Sequence, residues 1–319
     1  MYDVVSLGEL LIDFTPAGIS ENGNTLFECN AGGAPANVAA ALAKLGKKSA
    51  FIGKVGNDQF GLFLMEVLKS LNVDISGLTF SKDVNTTLAF VHLDEKGDRS
   101  FNFYRNPGAD MMLEEKEVNY NLIKNSKIFH FGSISMTHEP ARTATIKSVK
   151  YAKENGLLIS FDPNLRPPLW KELNDAKKMI QVGLNFADIL KISEEELLFL
   201  TNMEDLTEGS KMLFEQYNIQ LIFITLGVKG CFYRFGSNIG HVSAYDVNAI
   251  DTTGAGDAFM GGILYQIIEK EKKLDDYTVD DVEKIIDFAN AAGALATTKR
   301  GAIPALPSLE EIHELLKNN

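Results

Sequence analysis

The 319-residue sequence has two cysteines and one tryptophan, and its basic residues are outnumbered by its acidic ones, 31 against 43. Cys29 and Cys231 are far apart and lack the paired spacing of metal ligands, which excludes a disulfide scaffold and a cysteine-held zinc site and fits a reduced, cytoplasmic protein. The five histidines, His92, His130, His138, His241 and His313, form no ligand spacing either and read as structural. Trp170 reads as a packing anchor. A formal charge of −12 leaves no basic face to neutralise a nucleic acid or an anionic membrane, so neither is an expected partner. A phosphate-bearing ligand would have to be gripped locally, with the help of a divalent cation. The chain also lacks a fixed-period repeat, a low-complexity segment and a Pro-, Ser- or charge-rich linker. Met1 to Phe14 is apolar but has no basic lead and carries Asp3, Glu9 and Asp13, so it reads as a buried strand and not as a signal peptide.

What remains is ordinary for a globular protein: 45% hydrophobic and 23% charged residues. Val4 to Phe14 reads as one strand buried on both faces and stopped by Asp13 and Pro16, which would put Asp13 at the ligand-binding end of a parallel sheet. From Lys127 onward, apolar strands such as Ile128–Phe131, Leu157–Phe161, Ile189–Ile192 and Leu221–Thr225 alternate with helical segments, the signature of βαβ units. Thr86–Leu93 and Arg99–Arg105, joined by a turn at Asp94–Asp98, alternate apolar with polar residues. They read as a hairpin of a separate antiparallel sheet. With residues around 14 to 31 this hairpin makes a small β lid, on which exposed Phe101 and Phe103 would suit a second subunit.

Two glycine clusters stand out. Asn30-Ala31-Gly32-Gly33-Ala34-Pro35-Ala36-Asn37 opens a helix of small residues; the glycines allow close approach to the backbone, and Asn37 offers a donor and an acceptor to a neutral polyol. The Gly-x-Gly-x-x-Gly spacing of a dinucleotide site is absent, which sets a nicotinamide cofactor aside. Asp251-Thr252-Thr253-Gly254-Ala255-Gly256-Asp257 runs straight into a second apolar helix. Bare main-chain N–H groups at a helix start attract anions, and an acid at that rim suits a base that takes a proton from an attacking hydroxyl. Taken alone, the second cluster reads more readily as an ordinary N-cap, a reading that the other two segments displace. A third segment, Asp162-Pro163-Asn164-Leu165-Arg166, ends a strand in a proline-stiffened loop that presents Asn164 and Arg166.

Together the two clusters resemble the signatures of the ribokinase-like (PfkB) carbohydrate kinases, and the resemblance runs over essentially the whole chain. Phe103 to Met111 and Phe161 to Arg166 are most similar to fructokinases. The resemblance implies an α/β fold, a three-layer α/β/α ribokinase-like domain over residues 1–319 with a mostly parallel central sheet and a β lid from roughly 14–31 and 84–106. It implies that Asp257 is the catalytic base and that Gly254, Ala255 and Gly256 are its anion hole. Asp13, Gly32, Gly33, Asn37 and Arg105 would bind the sugar, and Arg166 both the sugar and the transferred phosphate. Lys191, Thr225, Gly227, Gly230 and Asn290 would bind the nucleotide. Glu196 would organise magnesium through water, in a motif whose asparagine is here Ser193. Asp251 and Thr253 would help hold a monovalent cation. The implied ligands are ATP, Mg2+, K+ and a sugar; the implied assembly is a homodimer through the lid. A 2-keto-3-deoxygluconate kinase, which would turn Arg105 and Arg166 on a carboxylate, stays open as the alternative. A nucleoside kinase or a non-catalytic sugar-binding regulator remains further off.

Overall fold

The apolar run at the N-terminus is not one strand. In the structure, a computed structural model that describes residues 1–93 and 99–318, β1 (Tyr2–Leu7) ends before Gly8, and β2 (Leu11–Ile19) starts in a different sheet. The break falls where Pro35 packs on the backbone of Gly8, so closely that a Cβ there would lie 2.5 Å from the proline ring. Leu7, Leu10, Leu11 and Ile12 are buried on both sides of it, which hides the corner in the sequence. Pro16 does not stop β2 either: the strand absorbs it at a bulge between Pro16 and Gly18.

The remaining strands are β3 (Thr25–Gly32), β4 (Ser49–Gly56), β5 (Asp74–Ser81), β6 (Leu88–Leu93), β7 (Arg99–Tyr104), β8 (Ser126–Phe131), β9 (Leu158–Phe161), β10 (Ile189–Ser193), β11 (Leu221–Thr225), β12 (Cys231–Phe235) and β13 (Asn238–Val242). The large sheet runs β13-β12-β11-β10-β9-β8-β1-β4-β5, parallel from β5 to β11 and antiparallel only at the β11-β12-β13 end. The small sheet runs β3-β2-β6-β7. The expected turn at Asp94–Asp98 lies outside the described residues, as does the side chain of Phe101.

The helices are α1 (Ala34–Lys44), α2 (Gln59–Ser70), α3 (Tyr120–Lys124), α4 (Ala141–Glu154), α5 (Leu173–Leu184), α6 (Glu194–Thr201), α7 (Leu206–Tyr217), α8 (Ala255–Lys270), α9 (Val279–Ala296) and α10 (Leu309–Lys317). Strand alternation sorts them into two layers. Val4, Ile128, Ile189 and Leu221 pack with α1, α8 and α9. Their chain neighbours Val5, Phe129, Leu190 and Ile222 pack with α4 to α7 on the other face. Covered on both sides, these strands need the continuous apolar runs that the sequence shows. Because they are parallel, their carboxyl ends line up along one edge of the sheet.

Helix α8 sits in the middle of its layer and is wedged there by two glycines. A Cβ on Gly261 would lie 2.7 Å from Cβ of Ala41 in α1, and one on Gly262 would lie 2.9 Å from Cα of Ala289 in α9. The small residues of α9 therefore serve close helix packing. Gly262→Val is expected to destabilise the protein by about 1–3 kcal/mol, lowering Tm by several degrees in thermal denaturation. An unchanged Tm would mean that the α8–α9 contact is looser than this.

Candidate active site

Asp257 is in the first turn of α8, buried, and faces a cavity of about 590 Å³ at the carboxyl edge of the large sheet. Gly254 caps the helix in the left-handed region at φ 77°, and a Cβ there would strike Ala302 at 2.9 Å. Only glycine gives the turn both its conformation and its clearance. Asp251 fastens the turn from behind, accepting from the N–H of Thr253 (2.7 Å) and of Gly301 (3.0 Å).

The first glycine cluster meets this turn from α1. Gly33, at φ 116°, lets the backbone of Glu9 come within 2.3 Å of where a Cβ would be, and Gly32 makes similar room for the carboxylate of Asp13. Glu9 then accepts from the Ala34 N–H at 2.9 Å and fixes the start of α1. One turn on, the Asn37 amide donates to Asp257 Oδ2 at 2.7 Å. The third segment reaches the other oxygen: Asn164 takes the left-handed conformation (φ 47°) that Asn tolerates, and its amide lies 3.4 Å from Asp257 Oδ1. Asp162 holds that loop through the Asn164 N–H (3.2 Å) and accepts from Lys191 Nζ at 2.8 Å. Glu196 accepts from the N–H groups of Leu165 (2.7 Å) and Ser193 (2.8 Å), while Ser193 caps α6.

Four carboxyl groups around the cavity, those of Glu9, Asp13, Glu196 and Asp257, are pushed up, each chiefly by burial. Burial lifts Asp257 to about 6, with the negative charge of Asp162 adding to it and Asn37, Lys191 and Arg166 pulling back. Burial likewise lifts Glu9 and Asp13 to about 7 each. Burial works against the charge of Lys191, but Asp162, Glu196 and Asp257 outweigh it and hold its pKa above the usual lysine range. A base that titrates near 6 stays ionised at neutral pH and yet is a better proton acceptor than an exposed aspartate. Behind it, the first N–H groups of α8 have no acceptor within the helix and face the cavity with the positive end of the dipole. A carboxylate base beside an anion site, at the end of a parallel sheet, is an arrangement for moving a phosphoryl group onto a hydroxyl.

A family description, pfkB family carbohydrate kinase, matches residues 1–309. The chain belongs to the pfkB family of carbohydrate kinases. It is 45% identical over 318 residues to the probable fructokinase-4 of Arabidopsis thaliana, covering 99% of this chain and 97% of that one. Its fold is similar to the crystal structure of a fructokinase with bound ATP from Xylella fastidiosa, with a TM-score of 0.92 and 33% identity over 100% of this chain and 99% of that one. A fructokinase double mutant from Vibrio cholerae O395, in a form with fructose, ADP and potassium ion bound, gives 0.90 and 36% over 99% and 98%.

In this pfkB kinase the cavity wall includes Asp13, Gly33, Asn37, Arg166, Lys191, Glu196, Thr253, Gly254, Gly256 and Asp257, drawn from both glycine clusters and the third segment. Gly32, Ala255 and Asp251 support it from the next layer. The other expected site residues do not line the cavity. Thr225 pairs with Ser193 at the same sheet edge; the turn Gly227–Lys229 follows it, and Gly230 (φ 103°) packs against Val242, whose carbonyl accepts from Asn290 at 3.1 Å. Arg105 departs most from expectation. Its guanidinium is buried and bound to Asp110 (2.8 Å from Nε), to the Thr137 hydroxyl (2.9 Å) and to the Ile134 carbonyl (3.2 Å), so it braces the wall from behind.

Sequence reasoning gave no role to Glu9, Leu11, Phe103, Ile134 and Thr252 in the wall, or to Asp162 behind it. Glu9 had a usable signal, since it follows the end of a buried parallel strand. Phe103, expected to be exposed on the lid, is half-buried and faces the cavity.

The electrostatics predict a pH effect on the ligand-free protein. With a folded pKa of about 7 against roughly 4 unfolded, the stability that Asp13 contributes is complete below about pH 4 and is lost as pH rises through 7. Asp13→Asn carries no such loss. Its Tm relative to the parent protein is therefore expected to climb between pH 5 and pH 8 in calorimetry, and a constant difference would contradict the burial of that charge.

Proposed function

We propose that this chain transfers the terminal phosphoryl group of ATP to the primary 6-hydroxyl of D-fructose, giving fructose 6-phosphate and ADP. One observation carries the reading: the Asp257 carboxylate, buried between the two glycine clusters, is held by the amides of Asn37 and Asn164 at the start of α8. Asp257 takes the proton of the sugar hydroxyl, the oxygen bonds to the terminal phosphorus, and the bond from that phosphorus to ADP breaks. The main-chain N–H groups at residues 254–256 and Arg166 face the charge that spreads over the transferred group. Adenosine would lie toward Thr225, Gly227, Gly230 and Asn290 at the far side of the same edge.

Among the described residues no three His, Cys, Asp or Glu side chains gather as a metal cage, so magnesium would be held by the ATP phosphates. The carboxylate of Glu196, whose oxygens each retain a lone pair beside their backbone hydrogen bond, would orient its waters. Bound there, the cation would neutralise phosphate charge. Asp251 and the 252–254 turn would hold potassium, the ion that accompanies fructose and ADP in the Vibrio cholerae relative.

The lining of the sugar end favours a neutral substrate. Glu9, Asp13 and Asp257 supply acceptors suited to hydroxyl groups, and Arg105, which a sugar acid would need, is engaged by Asp110. The small sheet would close over the sugar and exclude water, with Asp13 and Phe103 on its inner face. Its outer face carries Phe14 stacked on Phe90 (ring centres 4.7 Å apart), flanked by Phe27 and by Tyr104. Phe27 is 37% exposed and Tyr104 66%. A second copy packed here would make the homodimer. Phe27→Asp is expected to shift the protein from dimer to monomer in light scattering; a parent protein that is already monomeric would remove the dimer.

Asp257→Asn is expected to lower kcat by about 10²–10⁴ while fructose and ATP still bind, as read by steady-state kinetics and calorimetric titration. In the parent enzyme kcat/KM for fructose should rise with pH and level off above about 6 as Asp257 ionises. Near-normal turnover by Asp257→Asn, or faster turnover of 2-keto-3-deoxygluconate than of fructose, would overturn the reading.

A further inference from the structure

Glu9 joins the cavity wall from the short link between β1 and β2. It is 2% exposed, and its two carboxyl oxygens are treated differently. Oε1 accepts from the Ala34 N–H and fixes the start of α1. Oε2 is buried and has no hydrogen-bond partner among the described residues. Leaving a buried acceptor in that state costs about 1–3 kcal/mol, and more when it is charged. Capping α1 needs only one acceptor, so the fold gives no reason for the second oxygen.

The side chains around it supply acceptors and hold their donors elsewhere. The Asn37 amide is engaged by Asp257, and the carbonyl oxygen of the same side chain is a second buried acceptor with no partner among the described residues. Asp13 contributes another carboxylate to the wall, while Leu11, Phe103 and Ile134 present only carbon from their side chains. Behind Glu9, the Arg105 guanidinium is held by Asp110, Thr137 and the Ile134 carbonyl. After burial, the charges that act on Glu9 are those of Asp110 and Arg105, which oppose each other. Arg166 and Lys191 act instead on Asp257, at the phosphoryl end of the cavity. A ligand that meets Glu9 must therefore bring its own hydrogen, as a hydroxyl does and an ionised carboxylate does not.

We infer that Glu9 is a further substrate-binding residue: its second carboxylate oxygen accepts a sugar hydroxyl other than the one phosphorylated, and its charge selects a neutral sugar over a sugar acid. The inference rests on the phosphotransferase reading above. No proton is transferred at Glu9; the sugar hydroxyl donates and keeps its hydrogen, while the hydroxyl to be phosphorylated gives its proton to Asp257. The bound sugar completes the hydrogen bonding that the fold leaves open. A carboxylate on the ligand would instead face the like charge of Glu9, with the only cation behind it already matched by Asp110. One of the two acids would then have to bind a proton, an unfavourable element of the kind that discriminates between ligands of similar shape.

The test uses the full chain with ATP and magnesium at pH 8, above the Glu9 pKa of about 7. Glu9→Gln keeps an oxygen for the Ala34 N–H and turns the second acceptor into a donor. Its KM and calorimetric Kd for fructose are expected to rise about 10- to 100-fold with kcat within about threefold, the pattern of a contact made equally in ground and transition states. For 2-keto-3-deoxygluconate KM should stay level or fall, so that the preference for fructose narrows by about tenfold or more. Fructose analogues that each lack one hydroxyl locate the contact: the analogue missing the hydroxyl held by Glu9 should bind parent and variant within about threefold of each other. Fructose affinity within about threefold of the parent, an equal loss on both sugars, or no analogue that closes the gap overturns the inference. If Glu9→Gln fails to fold, a crystal structure of the parent with fructose decides: a hydroxyl within hydrogen-bonding distance of Oε2 supports the contact, and a sugar turned away from Glu9 overturns it. A parent active on fructose with an unaffected Glu9→Gln defeats this inference alone, whereas a parent inactive on every sugar defeats the phosphotransferase reading and this inference with it.

Discussion

The hydrogen bond from Asn37 to Asp257 joins residues 220 apart in the chain, and the site exists because it forms. Each end is brought to it by glycine. On one side Gly32 and Gly33 let the first helix start against Glu9 and Asp13; on the other Gly254 turns the chain into α8, while Gly261 and Gly262 let that helix sink between its neighbours. The bond thus reports on helix packing several turns away as much as on local chemistry. An added methyl at any of these positions would move one partner and leave the other aimed at nothing.

What the bond holds in place is a carboxylate that water would solvate better. Asp257, Glu9 and Asp13 are all driven upward by burial, and a fold selected for stability alone would not gather them. They are tolerable because amides, backbone N–H groups and the cations Lys191 and Arg166 face them. The same arrangement keeps a base available at neutral pH and leaves acceptors for hydroxyl groups. Arg105 shows the opposite arrangement. Its donors are engaged by Asp110, Thr137 and a carbonyl, so its charge is matched within the wall.

The sequence made legible whatever depends on the backbone of a single stretch. The glycine clusters were readable because positive φ and close approach are local demands that few residues meet. Parallel strands were readable because burial on two faces leaves continuous apolar runs, and α1 and α8 were readable because each follows a glycine cluster. What escaped depended on partners distant in sequence. Nothing in Val4 to Phe14 marks the corner at Gly8, since both strands are buried. The alternation in β7 told which residues share a face but not that Phe103 looks into the cavity. The position of Arg105 could not be separated from that of a substrate-binding arginine without Thr137 and Ile134 from another loop. Asp162 was visible only as part of a motif, because its partner Lys191 lies 29 residues on.

The central claim is geometric: a sugar hydroxyl lies between the Asp257 carboxylate and the terminal phosphorus of ATP. A crystal structure with fructose and a non-hydrolysable ATP analogue tests it most directly. The account predicts a primary hydroxyl within hydrogen-bonding distance of Asp257, in line with the terminal phosphate at the start of α8. A sugar whose nearest carboxylate to the phosphate is Asp13 or Glu9, or a phosphate bound away from residues 254–256, would contradict it.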